Sequence, residues 1–129
     1  MAASASQLRI VVVDDLADAA DSLAILLRML GYTVRTAYDG AAALAVSAEF
    51  RPHAILLDIG LPKLDGYQVA SCLRQQTGMQ SLCLIAVSGY GTDADREQSR
   101  RAGFDFHLLK PVDLSQLTAI LQQRAEHSS

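Results

Sequence analysis

Short apolar runs alternate along this chain with segments whose apolar residues recur at helical spacing. Leu8–Val13 is apolar apart from Arg9, and Ala54–Asp58 is apolar up to its last residue. Such runs, too short for helices, read as strands covered on both faces. Leu82–Val87 and Phe106–Leu109 are predicted strands as well. Thr33–Ala37 is β-branched and half polar, like an edge strand. Helical patterns fill the gaps. Leu23, Leu26, Leu27 and Leu30 make a stripe stopped by Gly31 as a C-cap. Ala41–Phe50 is Ala-rich and ends before Pro52, and Tyr67–Gln76 turns Val69, Cys72 and Leu73 inward. Asp93–Ala102 has helical character but is almost entirely polar. Asp113 caps a last helix, with Gln116 at the capping-box position and Leu114, Leu117, Ile120 and Leu121 as its stripe. Leu61-Pro62 and Asp65-Gly66 are turn signals.

Strictly alternating strands and helices predict an α/β fold, a parallel sheet with helices on both faces. Right-handed crossovers then bring every strand's carboxyl end to one edge. The first and third strands are the most apolar, so they belong together at the centre. That gives a doubly wound, flavodoxin-like five-stranded sheet in the order 2-1-3-4-5 with five helices. Ligands of such sheets bind at the carboxyl edge, where the strand order reverses. One domain is expected over residues 1–129, with a core of about 8–124 and flexible tails at 1–7 and 126–129.

Composition narrows the function classes. Half the residues are hydrophobic and Trp is absent, so the core is expected to be aliphatic. A net charge of −3 argues against direct nucleic-acid binding by the domain itself. Most of the acids are the short Asp, which favours caps and functional loops. Cys72 and Cys83 lack metal or redox spacing and are expected to be reduced, buried thiols of a cytoplasmic protein. Residues 1–7 do not resemble a signal peptide, and no apolar run approaches the roughly 20 residues needed to cross a bilayer.

Four chemical markers sit at the tails of the predicted strands. Asp14-Asp15 follow the first, Asp58 ends the third, Ser88-Gly89 follow the fourth and Lys110-Pro111 follow the fifth. In the predicted sheet all four meet at one edge. Two or three carboxylates suit Mg²⁺, which takes hard oxygen ligands and keeps several waters. Without a cation, close carboxylates repel and some pKa values rise. Asp58 could attack a phosphoryl group as a carboxylate nucleophile. Catalysis of that transfer is mostly positioning and charge stabilisation. Lys110 offers a point charge, Ser88 a hydroxyl donor, and Gly60 and Gly89 leave room. Each marker alone reads equally as a cap, a turn or a solvated charge; only their joint placement is specific.

The pieces VVVDD, ILLDIGLPKLDGY, AVSGYG and AGFDFHLLKPVD together resemble the receiver domains of two-component response regulators over Leu8 to Arg124. The resemblance implies a phosphoacceptor module in a phosphorelay. Asp58 is then the phosphoacceptor, and Asp14 and Asp15 are the acidic pair that binds Mg²⁺ together with Asp58 and the backbone carbonyl of Gly60. Ser88 is the switch hydroxyl, Lys110 contacts the phosphoryl group, and the Lys110–Pro111 bond is cis. Family members commonly carry Tyr or Phe three residues before the lysine. Here that position is His107, and the surrounding phrase most resembles receivers of hybrid sensor histidine kinases. The implied partners are a histidine kinase or histidine phosphotransfer protein and an attached kinase or output domain. Two other classes fit the residues less well. Aspartate-nucleophile phosphatases need a second Asp where Gly60 stands, and a flavin-phosphate cradle would not be as acidic as Asp14–Asp18.

Overall fold

A computed structural model describes residues 8–59, 65–76, 81–89 and 91–127. Among them five strands alternate with five helices. These are β1 (Arg9–Val13), α1 (Ala17–Met29), β2 (Thr33–Ala37), α2 (Gly40–Phe50), β3 (Ala54–Asp58), α3 (Gly66–Gln75), β4 (Cys83–Ser88), α4 (Asp93–Arg101), β5 (Phe106–Leu109) and α5 (Leu114–His127). The strands form one parallel sheet in the order β2-β1-β3-β4-β5. The predicted architecture and strand order therefore hold.

Period-two alternation along the central strands divides the core. Ile10, Val12, Leu56, Ile85 and Val87 pack with Ala20, Ala24 and Leu27 of α1 and with Leu117 and Leu121 of α5. Val11, Val13, Ile55, Leu57, Leu84 and Ala86 pack with Ala43 of α2 and with Val69, Ala70 and Leu73 of α3. Both faces of β1, β3 and β4 are thus covered, which is why these strands carry no polar alternation.

Caps set several of the helix ends. Asp39, Asp65 and Thr92 each accept an N–H from the first turn of the helix they precede. Asp113 accepts the Ser115 N–H at 2.8 Å. Gly31 closes α1 at φ 102°, a left-handed conformation that a side chain would strain. Gly66 is fixed for a different reason. A Cβ there would lie 2.9 Å from Ile59 Cβ, so a side chain would push α3 away from the residue that follows β3.

Several sequence expectations need correction. Of the apolar stripe of α1, Leu26 and Leu30 are exposed, while Ala20 and Ala24 pack inside with Leu27. Small residues let α1 lie close to the sheet, and the stripe turns toward them. Cys72 is exposed and only Cys83 is a buried thiol; Ala70 takes the inward position in α3. β4 runs to Ser88, one residue further than predicted. α5 continues to His127 and overruns the start of the expected tail. Residues 1–7 and the turn Leu61-Pro62 lie outside the described residues.

Candidate functional site

At the carboxyl edge of the sheet, β1 and β3 lie side by side and deliver two acids into one crevice. Val13 pairs with Leu57 in the register, so Asp14 and Asp58 emerge next to each other. Asp58 is 3 % exposed and Asp14 6 %. Asp14 is held by its own chain, its Oδ1 accepting the Leu16 N–H at 2.9 Å. β4 adds Ser88, which is buried at the strand's last position. β5 ends one residue before Lys110. The Lys110 N–H donates to the Ser88 carbonyl at 2.9 Å, which continues the ladder and aims the lysine back over the crevice. The Lys110–Pro111 bond is cis, as the resemblance implied.

Charge binds the crevice together. The Lys110 ammonium forms an ion pair with Asp58 Oδ2, and it lies 3.7 Å from Asp14 Oδ2. Burial raises the pKa of Asp14 above the ordinary carboxylate value; the Leu16 N–H partly opposes this and the Asp58 charge adds to it. Partial burial works against the Lys110 charge, but Asp58 and Asp14 outweigh it and raise its pKa. Asp15 Oδ1 is buried with no hydrogen-bond partner among the described residues. An acceptor kept out of water in this way is costly unless something else satisfies it.

The crevice opens into a groove of about 600 Å³ that runs between α1 and the start of α5, past Leu23, Leu26, Val112 and Leu114. A Cβ on Gly89 would meet nothing within 4 Å, so the space beside Ser88 is open. Among the described residues no three His, Cys, Asp or Glu groups close tightly enough to cage a metal by themselves. Gly60, expected to add a carbonyl, lies outside them.

His107 sits on β5 beside Ser88. Its Nε2 is 2.7 Å from Ser88 Oγ and its Nδ1 is 3.0 Å from Ser99 Oγ. Sequence reading singled out His107 and Ser88 but missed Ser99. A serine in a polar helix carries no signal of its own, although Ser99 is the buried residue of α4.

Comparison with known proteins decides the family. The model of the response regulator receiver domain matches residues 10–122. The chain belongs to that family. It is 42% identical over 111 residues to the transcriptional regulatory protein PrrA of Mycobacterium tuberculosis, covering 86% of this chain and 47% of PrrA. This receiver therefore spans about half the length of that relative. It is 32% identical over 115 residues to protein PilG of Pseudomonas aeruginosa, covering 89% of this chain and 85% of PilG. Among solved structures it resembles the receiver domain of the sensor histidine kinase PA1611 of Pseudomonas aeruginosa, which has a magnesium ion coordinated in its active site cleft. The TM-score is 0.81 at 33% identity, over 92% of this chain and 97% of that one. The protein is thus a receiver domain of two-component signalling, and its crevice lies where an α/β sheet binds ligands.

Proposed function

We propose that this receiver accepts a phosphoryl group on Asp58 from a phosphohistidine and holds Mg²⁺ through Asp14, Asp15 and Asp58. The observation that carries the reading is the convergence of two nearly buried carboxylates, Asp58 and Asp14, on the single ammonium of Lys110. A carboxylate oxygen of Asp58 bonds to phosphorus while the bond to the donor imidazole nitrogen breaks. The departing electron pair stays on that nitrogen. Lys110 transfers part of its ion pair from the carboxylate to the phosphoryl oxygens. Ser88 donates its hydroxyl to one of those oxygens, a charge-assisted bond stronger than a neutral one.

The acid cluster fits a magnesium ion. Asp14 and Asp58 repel one another, and the buried Asp15 Oδ1 has no donor among the described residues. Mg²⁺ satisfies most of its octahedron with water and needs few protein oxygens. When bound, it supplies positive charge that neutralises the carboxylates and the transferred group. The Gly60 carbonyl belongs to the same proposal on the strength of the resemblance alone, while the magnesium ion in the active site cleft of the PA1611 receiver supports the metal itself.

A histidine kinase or histidine phosphotransfer protein is the proposed donor, and the readout passes to a partner or to an attached kinase or output domain. A receiver of a hybrid sensor kinase is the finer form of this reading, supported by the GFDFHLLKPVD phrase and the PA1611 likeness. No helix of the described residues is long and apolar enough to cross a membrane. A cytoplasmic setting, where such donors act, is part of the proposal. The test is transfer from a phosphorylated histidine phosphotransfer protein. Transfer is expected with Mg²⁺ and absent with chelator or in Asp58→Asn. Stoichiometric transfer to Asp58→Asn overturns the assignment.

A further inference from the structure

His53 ties three strands together at the amino edge of the sheet, opposite the Asp58 crevice. Its backbone N–H donates to the Arg9 carbonyl on β1 at 2.8 Å, and its carbonyl accepts the Cys83 N–H on β4 at 3.0 Å. Its ring adds a further rung, Nδ1 accepting the Arg9 backbone N–H at 2.9 Å. The Arg9 side chain reaches the end of α2. Its guanidinium donates to the Phe50 carbonyl at 3.1 Å and to the Arg51 carbonyl at 3.0 and 2.7 Å. Arg51 caps α2 at φ 56°, a left-handed conformation that a side chain disfavours. Arg9 and His53 together therefore fasten the start of β1 to the turn between α2 and β3.

One of these bonds depends on protonation. A backbone N–H can only donate, so Nδ1 is an acceptor and the proton of the neutral ring is on Nε2. A second proton can enter only at Nδ1. The ring would then turn an N–H toward an N–H, and the half-buried Arg9 amide would lose its acceptor. The surroundings oppose that proton as well. Arg9 on β1 and Arg124 on α5 both act on the ring as cations. At the end of α2, Arg51 adds positive charge, and Glu49 is paired with Arg35. On β4 the Cys83 thiol is held up at about 11, and Asp105, which acts on it, is paired with Arg74. Once charged, the ring is driven from Arg9 toward solvent.

We propose that the His53 ring is a pH-operated catch, whose protonation releases the start of β1 and the turn Phe50–His53 from one another while the middle of the sheet stays closed. The inference does not depend on Asp58. Release stops within the sheet because Ile10 to Val13 and Ala54 to Leu57 are paired through their backbones and buried. The sign follows from burial and the two guanidinium groups, which lower the pKa of the closed ring below that of the open one. The catch is closed above the ordinary value of 6.5 and opens as pH falls toward the lower one.

The test follows amide exchange of the full chain by NMR between about pH 8 and pH 5, the range of histidine titration, with rates corrected for their intrinsic pH dependence. Ring ¹⁵N shifts, assigned with His53→Asn, are expected to show Nδ1 unprotonated at high pH. Protection of the Arg9 amide is expected to fall below pH 6.5, approaching tenfold per pH unit, while that of Leu56 holds. In His53→Asn the amide oxygen takes the place of Nδ1 without titrating, so Arg9 should stay protected at both ends of the range. In His53→Ala it should be unprotected at both; if that variant does not fold, wild type and His53→Asn decide. Arg9 protection that ignores pH, or that falls in His53→Asn as in wild type, overturns the catch. A proton on Nδ1 at high pH also overturns it. An equal fall at Leu56 shows the whole sheet opening and overturns the local release.

Discussion

Asp14 pays in stability for its place in the crevice. Its raised pKa means that, between the unfolded and folded pKa values, the folded protein holds a proton on Asp14 that the unfolded chain has released. Its contribution is therefore favourable below the unfolded value of 3.8 and lost as pH rises through the folded pKa. At neutral pH in chelator, Asp14→Asn should be neutral or stabilising, by about 1 kcal/mol at most. The same variant should abolish the rise in Tm that Mg²⁺ gives wild type by binding the folded state. A thermal scan with and without Mg²⁺ checks both. His53 has the opposite linkage. Burial lowers its pKa first, and Arg9 and Arg124 add to this; its Nδ1 accepts the Arg9 N–H at 2.9 Å. A lowered histidine pKa contributes stability that is present above the unfolded value of 6.5 and lost as pH falls toward the folded one. Stability should thus decline below that pH, and His53→Gln should flatten the slope in urea titrations. The thiols separate more simply. Burial pushes Cys83 up to about 11, whereas Cys72 is exposed. At pH 8 a thiol reagent should modify Cys72 and spare Cys83 until the protein unfolds.

At the scale of elements, the helices differ in how firmly the core holds them. α1 buries Ala20, Ala24 and Leu27, while Leu26, Leu30 and Met29 face outward. Leu27→Ala should cost about 2–5 kcal/mol, while Met29→Lys should stay within about 0.5 kcal/mol; urea unfolding of the two variants compares them. α4 buries Ser99 alone, and its surface carries Glu97 paired with Arg100 and Arg101. Its amides should exchange faster than those around Leu27 in hydrogen-exchange measurements. Strands were legible in the sequence because burial on both faces leaves uninterrupted apolar runs. The phase of α1 was not, because a leucine stripe outweighs alanines in any reading by hydrophobicity, whereas close packing on the sheet favours the small side chains. Asp58, Asp14 and Lys110 were legible because Asp58 ends a strand and the other two directly follow one. The contacts that cross between elements were not. Arg74 on α3 donates to the Gly103 carbonyl and to Asp105, whose carboxylate also accepts the Leu84 N–H at 2.9 Å. Nothing in the spacing of residues 74, 84 and 105 announces that pin, nor the partnership of Ser99 with His107.

The molecule as a whole is arranged around one asymmetry. A sheet covered on both faces makes the body stiff, and the strand order 2-1-3-4-5 places all the chemistry at one edge. β1 and β3 bring Asp14 and Asp58 to that edge, and β4 and β5 bring Ser88 and Lys110. The central claim is that Asp58 receives the phosphoryl group, and borohydride trapping tests it most directly. Reduction converts an aspartyl phosphate to homoserine, which peptide mass spectrometry locates. After incubation with a small phosphodonor and Mg²⁺, homoserine should appear at position 58 and vanish when chelator replaces the ion. Homoserine at position 14 or 15, or a phosphorylated protein with Asp58 unreduced, would contradict it.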